Sequence, residues 1–462
     1  MRRLSIVAIV LLSAASAAAQ STPLTLRQAI AEALAASPAL RAPDDGRTLA
    51  EIRQRQAAAR FGLKLTPAFQ TASAPNGLNT RSMGLAVTKQ LPTGTAVQLN
   101  ANRYQIGEGA GQFQDSGYTV GVSQPLLRGW TAVASADREH ARRGNVSAAR
   151  AYLDARQQLV VSVADAYFNV LRARRLLEAA DRSLARARRL RTTSEARSKV
   201  GLATELDVLR ADLLASQSEV ALVAQGEALE SALDALKTLI GRPIEDDVEL
   251  ADDELADVGT PSSEPVERFI DTALVKRLDV QEAHDRIGDA RRTESVARWN
   301  LLPPVNVDLS YTKRGIGSGA SVAFGQLLNG WHVGVSTSYS LDRSDEAAAA
   351  AVAAVSSRAA QRDSADTERR AADEVRRAFR SWARTLTTFD LQSKAVALAE
   401  RQLRLAEIRY DRGVAGNFDV IDAENNLFQA QSGLVGAQVE RALAGLTLRR
   451  VTGSLDADTF QP

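Results

Sequence analysis

Apolar positions along this chain keep two distinct periods. Val163, Val170, Leu177 and Leu184 recur every seven residues, and Val375, Trp382, Phe389, Val396 and Leu403 do the same further on. A sustained seven-residue period is the seam of a coiled coil. Elsewhere the period falls to two. It predicts strands over Leu65–Ser73, Ser82–Leu91, Thr95–Gln105, Tyr118–Leu127, Val305–Thr312 and His332–Leu341. A helical pattern precedes each strand region, roughly Leu24–Arg60 and Val266–Asn300, and Pro67 and Pro303-Pro304 mark the change of period. A long helix follows each strand region. The first is predicted over Thr131–Lys199, which would reach about 100 Å, far beyond a helix of a compact domain.

The whole pattern is written twice. Arg197-Ser-Lys-Val-Gly201-Leu-Ala-Thr-Glu-Leu-Asp207 recurs as Arg409-Tyr-Asp-Arg-Gly413-Val-Ala-Gly-Asn-Phe-Asp419, an offset of 413 − 201 = 212 residues. In each copy a Gly suited to ending one helix precedes an Asp suited to capping the next. Each copy is therefore a helix-hairpin tip, with Gly201 and Gly413 at the turn. The returning helices end at Gly241 and Gly453, again 212 apart. The leading helices match at an offset of 240, and Val120-Gly-Val-Ser123 recurs as Val333-Gly-Val-Ser336 at an offset of 213. The first half thus holds 240 − 213 = 27 extra residues, expected in a hairpin around Pro92-Thr93-Gly94. A repeat this long is a duplicated domain rather than a solenoid. The halves are 20–241 and 266–453, joined by an acidic linker over 242–265 and followed by a tail over 454–462.

Composition narrows the function. Arg2, Arg3, the apolar Ile6–Leu12 and Ala17-Ala18-Ala19 make Met1–Ala19 a secretory signal, too short in its apolar run for a membrane anchor. The chain has no Cys, so disulfides, thiol chemistry and a cysteine-borne lipid anchor are excluded. The 57 basic and 55 acidic residues nearly cancel, against a general nucleic-acid binder. His140, His284 and His332 stand apart from one another, and no nucleophile elbow or phosphate loop appears. The expectation is no enzyme, no cofactor and no metal site. The acidic residues of the linker fit no calcium-loop spacing and read as a solvated connection.

An exported chain with long helices and a few strands poses a problem of sheet edges. In a membrane, strands survive only in a closed barrel, and one chain supplies too few to close a usable one. Several chains must share it, with the helices continuing as a hollow bundle. Trp130 and Trp299 sit near the helix–strand junctions, either as a membrane-interface belt or in ordinary packing. The tips and the duplication, with Gln124-Pro125-Leu126 before a Gly, Leu239-Ile240-Gly241-Arg242-Pro243 and the opening Leu24-Thr-Leu-Arg-Gln-Ala-Ile-Ala-Glu-Ala-Leu, resemble the TolC-like outer-membrane efflux family. The resemblance spans essentially the whole mature chain. The expected fold class is mainly α with β: duplicated long-helix hairpins forming a periplasmic tunnel, and strands contributing to a trimeric outer-membrane β-barrel. Four strands per chain would give the family's usual barrel and six a wider one. The resemblance also implies a periplasmic adaptor and an inner-membrane transporter as partners, in efflux or in type I secretion. Two other readings are weaker. The Val-Gly-Val-Ser repeats speak against a purely structural envelope coiled coil, and the helix length speaks against a porin-like diffusion channel.

Particular residues follow from the same resemblance. It implies that Asp419 and Asp422 ring the narrow periplasmic entrance, and that Asp207 and Tyr410 link neighbouring hairpins to hold it shut. Capping equally accounts for Asp207 and Asp419, which occur in both copies, and Tyr410 equally continues the seam after Leu403. Asp422 faces Arg210 in the other copy, so duplication does not explain it. Ala415 stands where the family pattern sometimes has an arginine latch.

Overall fold

A computed structural model describes residues 23–73, 79–107, 113–130, 132–251, 264–317 and 327–460. The expected signal sequence and most of the linker lie outside them. In chain order the elements are α1 (Leu26–Ala36), α2 (Arg41–Ala59), β1 (Leu63–Ser73), β2 (Asn79–Gln90), β3 (Ala96–Ile106), β4 (Phe113–Pro125), α3 (Ala136–Lys199), α4 (Glu205–Ile240), α5 (Val266–Lys276), α6 (Leu278–Trp299), β5 (Val305–Gly317), β6 (Leu327–Thr337), α7 (Ser344–Asp411) and α8 (Asn417–Val451).

The Ala-, Arg- and Leu-rich stretches with few Gly become the four long helices, as their propensities favour. α3 has 64 residues and α7 has 68, about 96 and 102 Å at the α-helical rise. α3 packs on α4 and on α8, and α8 packs on α7, so the four form a layer in the order α4-α3-α8-α7. Of the seam residues, Val163, Val170, Leu184, Val375 and Leu403 are buried within this chain, while Leu177, Trp382, Phe389 and Val396 are half-buried.

The two leading helices, each expected to be one, are each two. Pro38 disfavours the helical conformation at the residue before it, and Ser37 sits at φ −58°, ψ 130°, ending α1. Arg277 occupies the equivalent position at φ −64°, ψ 130° with no proline after it. Its guanidinium donates to Asp279 at 2.8 and 3.0 Å and to the Val451 carbonyl at 3.2 Å, and pairs with Glu374 at 2.7 Å. These contacts hold the break that proline makes in the first half.

The strands form a single antiparallel meander in the order β1-β2-β3-β4-β5-β6. The 27 extra residues are the β2–β3 hairpin: β1 and β5 are the equivalent first strands, and β4 and β6 the equivalent last ones. One face carries Leu65, Phe69, Leu85, Val97, Val120, Leu309 and Val333, all exposed. The strand register puts polar and small residues such as Gln98, Asn100, Thr119, Ser310 and Thr312 on the other face. Tyr311 lies 5.1 Å from Trp331 and 6.5 Å from Tyr118, an aromatic row across three strands of the apolar face. Trp130 and Trp299 are exposed at the junctions with the helices.

The largest core gathers where α1, α3, α4 and α8 meet. Tyr167 is fully buried there, and its hydroxyl donates to the Leu24 carbonyl at 3.1 Å. The start of the linker is not solvated as expected. Val248 and Leu250 are buried, and the Leu24 N–H donates to the Glu249 carbonyl at 2.8 Å. Val248 and Leu250 flank Glu249 in extended chain, so the two apolar side chains turn inward and the acid between them turns out. The tail also docks, burying Leu455 and Ala457 and pairing Asp458 with Arg156 at 2.7 Å.

Candidate functional site at the hairpin tips

The two tips close their first helices in the same way. Leu202 N–H donates to the Arg197 carbonyl at 2.9 Å and Val414 N–H to the Arg409 carbonyl at 3.0 Å, each bond reaching back over the turn. The bond requires a left-handed residue, and Gly201 at φ 75° and Gly413 at φ 72° supply it.

The starts of the returning helices differ. Thr204 caps α4, accepting from Asp207 N–H at 3.2 Å, while the Asp207 carboxylate accepts from Thr204 N–H at 3.0 Å. At the second tip the capping position is Gly416, which has no side chain to offer. Asp419 therefore shares in no reciprocal cap. It stands exposed in the first turn of α8, and Asp422 stands exposed one turn on, accepting from the Asn426 amide at 3.1 Å. Three residues apart, the two carboxylates share one side of the helix.

Behind them the four helices enclose a small core of Leu190, Leu214, Leu403, Tyr410, Val420 and Leu427. Tyr410 is buried, with its hydroxyl 2.9 Å from Ser194 Oγ. The Arg197 guanidinium stacks on the Tyr410 ring at 4.3 Å and donates to the carbonyls of Tyr410 and Asp411 at 2.5 and 2.9 Å. Asn417, wholly buried, donates to the Asp207 carbonyl at 2.6 Å. Above this, Arg186 clasps the buried carboxylate of Glu424 through Nε and Nη2 at 2.7–2.9 Å. Asp207 thus joins the second hairpin through its main chain, its carboxylate being engaged by Thr204. Tyr410 meets the first hairpin at Ser194 and Arg197.

Sequence reasoning passed over Ser194, Arg197, Asn417 and Glu424. Two of them carry a signal: at the 212-residue offset Ser194 faces Ala406 and Asn417 faces Glu205, whereas Glu424 faces another acid, Asp212. Positions where the copies diverge are those that join one copy to the other. Arg197 faces Arg409 and carries no such signal.

The model of the outer membrane efflux protein family matches residues 29–242 and 269–454, the two duplicated halves. The chain belongs to this family. It is 25% identical over 386 residues to the toluene efflux pump outer membrane protein TtgC of Pseudomonas putida, covering 78% of this chain and 73% of that one. It is also 25% identical over 340 residues to the outer membrane protein TolC of Vibrio cholerae, covering 73% and 76%. Among solved structures, the outer membrane protein VceC of Vibrio cholerae superposes with a TM-score of 0.71 at 21% identity, over 93% of this chain and 96% of that one. The open state of the MtrE outer membrane channel of Neisseria gonorrhoeae gives 0.69 at 20% identity, over 94% and 90%. The long-helix hairpins and the sheet are therefore the family's architecture, and the chain's function is that of an outer-membrane export channel.

Proposed function

We propose that three copies of this chain close into one channel-tunnel. Its sheet lies in the outer membrane and its helices in the periplasm, and it receives cargo from a periplasmic adaptor and an inner-membrane transporter. One observation carries the reading: the chain is apolar and unpartnered along both sides. On the α7 side, Leu391, Leu398 and Leu405 repeat every seven residues at 58–63% exposure. On the α4 side, Leu206, Leu213 and Val220 repeat every seven residues at 53–71% exposure. Each row is half of a coiled-coil seam, and the row on one copy supplies the missing half for the next. The sheet likewise ends on β6 at the α7 side and on β1 at the other. With six strands in an antiparallel meander, β1 and β6 run in opposite directions, so the edge of one copy pairs antiparallel with that of its neighbour. Such pairing removes every edge, as lipid requires.

In that ring the apolar sheet face meets lipid and the polar face lines water. The tips close the far end. Asp419 and Asp422 from three copies bring six carboxylates to one axis, where they attract cations and narrow the mouth. Ser194, Arg197, Tyr410 and Asn417 hold the two hairpins of each copy together and set how far the mouth can open.

Native mass spectrometry of the detergent-extracted protein tests the assembly. Three copies are expected. A monomer, or a dimer that conducts in planar bilayers, would overturn the reading.

A further inference from the structure

We propose that the β2–β3 hairpin is part of the membrane wall. The barrel then has eighteen strands, and its exit is a wide water-filled pore that leaves selection to the tips. The proposal rests on the trimeric reading above and adds to it the size of the exit.

Four observations place the hairpin in the wall. First, β2 and β3 are inserted between β1 and β4, with eleven paired residues at each of the three junctions. A hairpin splayed off the wall would leave β1 paired with β4. Eleven residues, tilted, is the length that crosses the hydrocarbon layer. Second, the alternation continues through it. Met83, Leu85 and Val97 lie on the apolar face and are exposed there. Gln98 and Asn100 lie on the opposite face with Thr119. A hairpin lying in water has no need of a lipid-facing side.

Third, its turn is built into the base of the sheet. Gly94 adopts φ 88° and lies against the Gly129 carbonyl and the Pro125 ring, leaving no room for a Cβ. Thr95 Oγ1 donates to Gln124 Oε1. The hairpin therefore runs from the outer rim down to the helices. Fourth, its ends meet at the outer rim, where Gly107 N–H donates to the Asn79 carbonyl at 2.9 Å. It enters and leaves the sheet at one point, as a wall segment inserted between two older strands would.

Barrel diameter grows roughly in proportion to strand number, and sixteen to eighteen strands leave an aqueous channel. Six strands per copy instead of four widen the exit by about half. The polar face carries amides and hydroxyls with charges of both signs, Lys64, Asp308 and the paired Asp115 and Arg314. A pore of that width passes hydrated polar solutes with little discrimination, so the narrow point is the carboxylate ring at the tips.

The test is a strand count by electron cryomicroscopy of the full-length protein in lipid nanodiscs. Eighteen strands around three copies are expected. A trimer with twelve wall strands and the hairpin outside overturns the proposal while leaving the trimeric channel intact. Any other copy number overturns the trimeric reading itself. A second measurement uses a variant lacking residues 79–106, a stretch whose first residue, Asn79, is bonded to Gly107 just beyond its end. Its trimers should exclude polyethylene glycols, added from the extracellular side, at a radius about one third smaller than the wild type. An unchanged cut-off overturns the proposal, and if the variant does not fold the strand count still decides.

Discussion

Tyr410 and Ser194 share a hydroxyl–hydroxyl bond in a site closed to water, and this is the smallest unit joining the two hairpins. Tyr410→Phe leaves Ser194 Oγ buried without that partner, at a cost of about 1–2 kcal/mol. Lower thermal stability and a larger resting conductance in planar bilayers are expected. If only the stability changes, Tyr410 packs the tip without governing its opening. Arg186 and Glu424 are a stronger case. Arg186→Met strands a carboxylate that is 3% exposed and should cost about 3–5 kcal/mol, read by thermal unfolding of the trimer. Replacing both residues with apolar ones should recover most of that loss, because no charge is then left buried. Asp422 should behave oppositely to both. Asp422→Ala removes no cap and little packing, so the trimer stays intact while cation selectivity and divalent-cation block weaken. Unchanged selectivity in bilayers would place Asp422 off the axis. Gly416 also alters the expectation for Asp419. With no reciprocal cap to lose, Asp419→Ala costs only its share of the helix dipole, about 0.3–1 kcal/mol.

Among the elements, the pairing of α6 with α3 is governed by charge rather than by an apolar seam. Asp285 on α6 pairs with Arg143 and Arg150 on α3 at 2.6 Å each. The hydrogen bond from Arg143 holds the Asp285 carboxyl below the usual carboxylate range. Burial opposes this, and Arg150 adds to the lowering. A pKa lower in the folded chain than in the unfolded one stabilises the folded state above the ordinary value near 3.9. That contribution fades as pH falls through the native value. Denaturation of the wild type and of Asp285→Asn should therefore differ at pH 7 and converge below about pH 4. A constant gap across that range would mean that the pair acts through shape and not charge. The elements also show where sequence reading stops. The break at Ser37, though read through as one helix, has a local cause in Pro38. The break at Arg277 has no local cause, because its guanidinium makes it through Asp279, Glu374 and Val451, and two of those three lie far along the chain.

For the whole molecule, the two apolar sides are the quantity that matters. A charge set into one seam should act on assembly and leave the chain's own core alone. Leu398→Glu or Leu213→Glu should lower the fraction of trimer in native mass spectrometry, while the helix content measured by circular dichroism stays at the wild-type level. Both positions are more than half exposed in the single chain, so neither change disturbs its interior. Loss of helix content together with trimer would show instead that these leucines support the monomer's own fold.

The sequence alone determined whatever depends on period and duplication. The seven-residue seam made the long helices, the two-residue period made the strands, the 212-residue offset placed both tips, and the difference of offsets located the inserted hairpin. These are local or repeated signals, and one chain written out carries them in full. Only the tertiary structure decided which residues hold one copy of the repeat to the other. It seated the linker beside Leu24, set Asn417 on the Asp207 carbonyl and turned Tyr410 toward Ser194 and Arg197. The physical reason is the same in each case. A hydrogen bond between groups some two hundred residues apart leaves no trace in periodicity, and its energy is realised only once packing has brought the partners together and excluded water from around them.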